Sequence, residues 1–256
     1  MAKKAGQGSL FEKPRTKTTA RSRPARSHPS KILPPIRLSP STGLNLYSEC
    51  PRCFYLHHAK RVQRPRGIFP SLPGGMDLVI KDYFDHYRGS LPPELDGKVP
   101  GALLDDAQLL ARWRNWRTGP EYHDAQRNAT LFGALDDCLV VGGAYVPLDY
   151  KTKGSAPHDG DGERYYQLQL DSYSLLLQES GYPVADFSYL VYYFPKQVNA
   201  GGMVTFTVQP MRVATDPKRA RKTFERAVDL LRGKDVPTHH VSCAFCSWNQ
   251  QLQEFD

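Results

Sequence analysis

"LFGALDDCLVVGGAYVPLDYKTKG", residues 131–154, decides the fold and poses a chemical question. Two runs with strand-like patterning flank Gly142 and Gly143, a hairpin turn signal. Working outward, "TLFGALDDCLVV" and "AYVPLDYKT" are two neighbouring strands, yet they carry Asp136, Asp137, Asp149 and Lys151 among residues that belong in a core. A carboxylate taken out of water costs several kcal/mol unless something pairs with it. Side chains alternate faces along a strand, so Val146, Leu148 and Tyr150 point one way and Asp149 and Lys151 the other. With Asp136 ending the adjacent strand, its carboxylate converges on that of Asp149, and the two repel unless a cation lies between them. A divalent, oxygen-binding ion, Mg²⁺ or Mn²⁺, resolves the conflict. The alternative is an ordinary cross-strand ion pair at a sheet edge.

Beyond these strands, "KGSAPHDGDGER" is a loop, "YYQLQLDSYSLLLQESG" a helix ended by Gly181, and "ADFSYLVYYFP" and "MVTFTVQP" two further strands. A last helix, "DPKRARKTFERAVDLLRG", starts at the cap Asp216 and ends at Gly233. Upstream, "LSPSTGLNLYSECPRCFYLHH" offers Ser39 and Ser41 as N-caps around Pro40, for a short helix that ends near the first cysteine pair. Met76, Val79, Ile80, Tyr83 and Tyr87 recur at helical spacing, as do Leu109, Leu110, Trp113 and Trp116. The tryptophans read as core, with a stacking platform for bases as the alternative. Helices followed by β β α β β α make an α/β fold, with a mixed central sheet flanked by helices and an N-terminal helical segment.

The arrangement resembles the PD-(D/E)XK nuclease superfamily, in particular its RecB-like branch. There a GxxD motif ends one strand, D-x-K lies on the next, and QxxxY lies on the helix that follows. "GALD" supplies Gly133 and Asp136, "DYK" supplies Asp149 and Lys151, and "QLDSY" supplies Gln169 and Tyr173. The resemblance covers roughly residues 38–250. It implies a restriction-endonuclease-like core and a metal-dependent deoxyribonuclease, read as an exonuclease, for repair, recombination, phage replication or CRISPR adaptation. Asp136, Asp149, Lys151, Gln169 and Tyr173 are the catalytic candidates. Asp136, Asp149, Tyr150 and Asp77 are the candidates for holding metal, Asp77 standing where the branch often has a histidine on an early helix. Asp77 is also what the first turn of a helix favours, and Asp137 is a second choice to Asp136. Lys151 would hold a water in line with phosphorus and oppose charge on the phosphate oxygens. Two rival readings stay open: a non-catalytic nucleic-acid-binding module and a zinc-stapled interaction protein.

"ECPRCFYL" and "SCAFCSW" contain two CxxC pairs, Cys50 with Cys53 and Cys243 with Cys246. Four thiolates in two such pairs signal a metal, and nearly the whole domain lies between them. Some relatives in the same branch staple their ends with a [4Fe–4S] cluster, which is the expectation here, with Zn²⁺ as the alternative. Those relatives usually contribute one early cysteine and three late ones. His239 and His240 are possible substitute ligands, and Cys138, in an apolar strand, reads as a buried thiol.

The net charge of +8 is unevenly placed. Residues 1–37 hold ten of the 34 bases against one acid, Glu12, which leaves 24 bases and 25 acids for the rest. A basic tail (1–37) with five prolines is expected to stay disordered beside a nuclease domain (38–256) and to touch DNA through phosphates, with a solubilising extension or a transit-like segment as the alternative. Within it, Gln7, Leu10 and Phe11 of "QGSLF" resemble the short peptide that docks bacterial repair proteins on the sliding clamp. No run is apolar enough for a membrane helix or a secretory signal, and the cytoplasm is the expected location.

Overall fold

In the computed structural model, which describes residues 34–65, 67 and 71–255, the chain begins with β1 (Ile36–Leu38), a π-helical turn (Pro40–Asn45), α1 (Leu46–Glu49) and α2 (Pro51–Lys60). There follow α3 (Ser71–Asp85), β2 (Ala102–Leu103), α4 (Ala107–Arg114), β3 (Glu121–Asp124), β4 (Ala129–Phe132), β5 (Asp137–Val141) and β6 (Ala144–Thr152). The chain continues through α5 (Asp161–Glu179), β7 (Phe187–Val198), β8 (Val204–Ala214), α6 (Pro217–Arg232) and α7 (Ala244–Leu252). Ser39 caps the first helical turn by accepting from the Thr42 N–H, with Pro40 next to it. Extended backbone at Cys50 breaks the helix, and α2 then runs beyond the first cysteine pair rather than ending near it.

The main sheet has the order β2-β5-β6-β7-β8 and is mixed. The β5–β6 hairpin turns at Gly142 and Gly143, whose φ values of 56° and 84° lie where only glycine is at ease. Strand β6 pairs in parallel with β7, placing Asp149 opposite Leu190 and Lys151 opposite Tyr192. A parallel pair needs a crossover, which α5 supplies. Strands β7 and β8 form a long antiparallel hairpin. A second sheet, β1-β4-β3, includes Arg37 through β1, so the fold begins before residue 38.

Each face of the main sheet has its own apolar cluster. Leu170, Tyr173 and Leu177 of α5 and Phe224 of α6 join Leu190 and Tyr192 of β7 on one side. Ile80 and Phe84 of α3 join Val146, Leu148 and Tyr150 of β6 on the other. The alternation expected along β6 therefore holds, and the polar Asp149 and Lys151 lie on the α5 side.

Three expectations need correcting. Residues 129–141 do not form one strand: the chain changes sheet at Gly133–Asp136, and Asp136 precedes β5 instead of ending a strand. The change is made where α5 comes close, since a Cβ on Gly133 would lie 2.7 Å from Leu176 Cδ1 and 3.6 Å from the Tyr173 ring. On α3 the inward stripe is Met76, Ile80 and Phe84, continued by Tyr87 in the turn that follows, while Val79 is 68% exposed. Of the two tryptophans, Trp113 is buried against Tyr145 and Tyr182, but Trp116 lies beyond the end of α4, half exposed under Arg117. Gln7, Leu10, Phe11 and the basic residues through Lys31 lie outside the described residues. Among the described residues no helix is long and apolar enough to cross a membrane.

Candidate active site

The site is built where β6 leaves the hairpin and α5 crosses over it. Asp149 is fully buried, and two groups address it from the same side. Lys151, two residues along the strand, forms an ion pair with Oδ2, and the Gln169 amide donates to Oδ1 at 3.0 Å. Gln169 also donates to the Tyr173 hydroxyl at 2.7 Å, the partner one turn further along α5. Burial above all pushes the Asp149 carboxyl up to about 7, and the Asp136 carboxylate adds to the rise while Lys151 opposes it. Burial also pushes the Tyr173 phenol upward, helped by Asp149 and Asp136. For Lys151, burial alone would lower the pKa, but the Asp149 and Asp136 charges outweigh it and the net shift is upward. Its ammonium also stands 4.7 Å from the centre of the Tyr166 ring.

Asp136 is held by groups outside the motifs. Arg114 Nε donates to its main-chain carbonyl at 2.7 Å, and Lys81 of α3 places Nζ 2.7 Å from Oδ1. Lys81 also donates to Asp77 Oδ2 at 2.8 Å, so one ammonium bridges two of the four expected metal-holding residues. Asp149 Oδ2 is buried, and its charge is met by the Lys151 ammonium. A carboxylate oxygen so placed, with Asp136 near enough to perturb it, suits a hard divalent cation.

Tyr150 and Asp137 face the opposite way. The Tyr150 hydroxyl donates to Asp137 Oδ2, so any share of Tyr150 in holding metal falls to its main chain. Asp137 is wholly buried and is met by both ends of the Arg88 guanidinium, at 2.7 and 2.5 Å, and by Arg114 at 3.3 Å. It belongs to a structural network that ties β5 to β6, α4 and the end of α3. Asp171 on α5 is a comparable case: Arg219 grips it at 2.5 and 2.8 Å, pinning α5 to α6. On the side of Lys151 where Tyr166 and Tyr192 stand, a cavity of about 430 Å³ is lined by these two residues with Lys153, His158, Asp161 and Tyr165.

The four cysteines of the CxxC pairs come together at the far ends of the chain's path. Cys53 Sγ lies 3.6 Å from Cys246 Sγ and 3.7 Å from Cys243 Sγ, and Cys50 lies 3.9 Å from Cys246. All four sulfurs are within 4.8 Å of one another. His239 and His240 are outside this set; His240 Nδ1 instead lies 2.8 Å from the Ser242 hydroxyl. Arg64 donates to Cys243 Sγ at 3.7 Å while bound to Glu49 at 2.6 Å. Cys138 is buried elsewhere, and burial pushes its thiol well up. A cavity of about 500 Å³ adjoins the cysteines, apart from the carboxylates.

A family model described as the PD-(D/E)XK nuclease superfamily matches residues 77–251, a span that holds the three motifs and the second cysteine pair. The chain belongs to the PD-(D/E)XK nuclease superfamily. Its mixed sheet flanked by helices is the restriction-endonuclease-like fold of that superfamily, which generally uses Mg²⁺ or Mn²⁺. A comparison with curated proteins gave no match. Within this PD-(D/E)XK fold, the residues that sequence reasoning did not find are Lys81, Arg88 and Arg114. Lys81 carried one usable signal, its i, i+4 spacing from Asp77 on a helix. The arginines carried little: Arg88 stands three residues from Asp85, but the groups of Asp136 and Asp137 that they hold are 22 to 49 residues away.

Proposed function

We propose that the protein is a metal-dependent deoxyribonuclease of the RecB-like branch, acting as an exonuclease, with Asp136, Asp149, Lys151, Gln169 and Tyr173 as its catalytic set in a nuclease domain that follows a basic tail. The observation that carries the reading is the buried Asp149 carboxylate, ion-paired with Lys151 and within electrostatic reach of Asp136. Asp136 and Asp149 would hold Mg²⁺ or Mn²⁺, with Asp77 and the Tyr150 main chain as further candidates. When bound, such an ion polarises a phosphoryl oxygen and makes a bound water more acidic.

The chain's own residues do the rest. Gln169 fixes the Asp149 carboxylate through Oδ1, leaving Oδ2 to Lys151 and to an incoming ion. Lys151, kept protonated by its carboxylate neighbours, orients the attacking water and stabilises charge on the phosphate oxygens. Tyr173, kept protonated by burial, braces Gln169. The neighbouring cavity, with Lys153, Tyr165 and Tyr166 on its wall, is suited to the nucleotide beside the scissile phosphate.

The test uses end-labelled linear and closed circular DNA, single- and double-stranded, with Mn²⁺, Mg²⁺ or chelator. Wild type should degrade linear DNA only with metal. Lys151→Ala should lose on the order of 10²-fold or more in rate while still binding DNA. Full activity in Lys151→Ala would refute the assignment of Lys151. Folded wild type that binds DNA but cuts none would favour the non-catalytic binding module.

A further inference from the structure

The [4Fe–4S] cluster that the RecB-like branch suggests does not fit the cysteine site. In a cubane each thiolate binds a different iron and the irons stand apart, so the four sulfurs need to be on the order of 6 Å from one another. Here the contacts are 3.6, 3.7 and 3.9 Å, and no pair exceeds 4.8 Å. A [2Fe–2S] rhomb fails for the same reason, because its two pairs of thiolates sit on separate irons. Four sulfurs at about 2.3 Å from one central ion form a tetrahedron with edges of about 3.8 Å. The observed contacts match that edge. We infer that Cys50, Cys53, Cys243 and Cys246 form a site for one tetrahedral metal ion, and that the ion is zinc.

The surroundings agree with the inference. Cys50 is the N-cap of α2 and Cys243 the N-cap of α7, and Cys53 and Cys246 stand in the first turns of the same helices. Each CxxC pair therefore straddles a helix N-terminus, where outward N–H groups and the helix dipole favour sulfur in its charged form. One Zn²⁺ with four thiolates carries a net charge of about −2. Arg64 lies against this charge, with one guanidinium nitrogen on Cys243, the other held by Glu49, and the plane 4.7 Å from the Phe245 ring. A cation held by its own partners outside the ligand set is the expected support for such a centre. Among divalent ions that accept tetrahedral thiolate, zinc also binds more tightly than iron. Zinc has no redox chemistry, so the site would join α2 to α7 through an ion that does not itself change oxidation state.

The test is metal content, independent of any cleavage activity. The full chain is made in medium replete with iron and zinc, purified without oxygen, and assayed for zinc, iron and inorganic sulfide. The expected result is colourless protein with one zinc per chain and no sulfide. Titration of thiols with a mercurial should release that zinc in step with the four cysteines, and cobalt loaded in its place should show the intense visible bands of a tetrahedral thiolate site. Brown protein containing iron and inorganic sulfide would overturn the inference, as would a single bound iron or protein free of metal.

Discussion

Arg88→Met tests whether Asp137 is a structural acid or a second metal ligand. In the folded protein Asp137 is wholly buried, with a bidentate Arg88, a longer contact to Arg114 and the Tyr150 hydroxyl. Removing one partner from a buried ion pair costs about 3–5 kcal/mol, because the remaining charge stays out of water. Arg114 and Tyr150 remain beside Asp137, so the lower end applies, about 3 kcal/mol. For a domain of this size each kcal/mol lowers the melting temperature by about 2–4 °C, giving a fall of roughly 6–12 °C. Replacing both partners, as in Arg88→Met with Asp137→Leu, removes the stranded charge, and the double variant should be more stable than either single one. The assay is thermal and urea unfolding in chelator, with Mn²⁺ affinity measured separately by calorimetry. Affinity should be unchanged wherever the protein is folded. A melting shift under about 2 °C for Arg88→Met, or strictly additive losses in the double variant, would refute the structural role.

Two other outcomes follow from the site. On the proposed assignment Lys81 competes with a metal for Asp136 and Asp77, so Lys81→Met should bind Mn²⁺ about tenfold more tightly by calorimetry, a change of about 1.4 kcal/mol; unchanged or weaker binding would count against the competition. The Asp149 carboxyl rises from its ordinary 3.8 to about 7 on folding, so between those values the folded chain holds a proton that the unfolded chain has lost. Stability of the metal-free protein should therefore fall as pH climbs through that window, and Asp149→Asn should lack the fall when melting temperatures are compared across the range.

The meeting of Asp149, Lys151, Gln169 and Tyr173 was legible because it lies in short spacings: D-x-K sets two side chains on one face of a strand, and QxxxY sets two on one face of a helix. The hairpin at Gly142–Gly143 and the helix from Asp216 to Gly233 were legible for the same reason, since turn and cap chemistry is local. The passage of the chain between sheets at Gly133–Asp136 was hidden because the strand-like stretches on either side of it, Ala129–Phe132 and Asp137–Val141, read as one strand, and only the close approach of α5 explains it. The inward face of α3 was misread because Leu78 and Val79 are as apolar as Ile80 and Phe84, so periodicity alone could not choose the side. The partners of Asp137 and Asp171 could not be read at all, because an arginine far along the chain looks like any surface cation until the fold brings it inward. Two CxxC pairs were plain as a metal signal, but residue spacing carries no information about sulfur–sulfur distance, and that distance is what separates one ion from a cluster.

The gathering of the four sulfurs also has a consequence for how the protein is made. Cys50 and Cys246 are 196 residues apart, and Cys53 and Cys243 are 190. At a synthesis rate of about 5–20 residues per second, the first pair leaves the ribosome roughly 10–40 s before the second exists. During that interval Cys50 and Cys53 are an unfinished thiol pair on a nascent chain, open to oxidation or to capture of a stray ion. The site can close only once α7 has been translated, which makes its completion a late event in biogenesis and a mark that distinguishes finished molecules from interrupted ones.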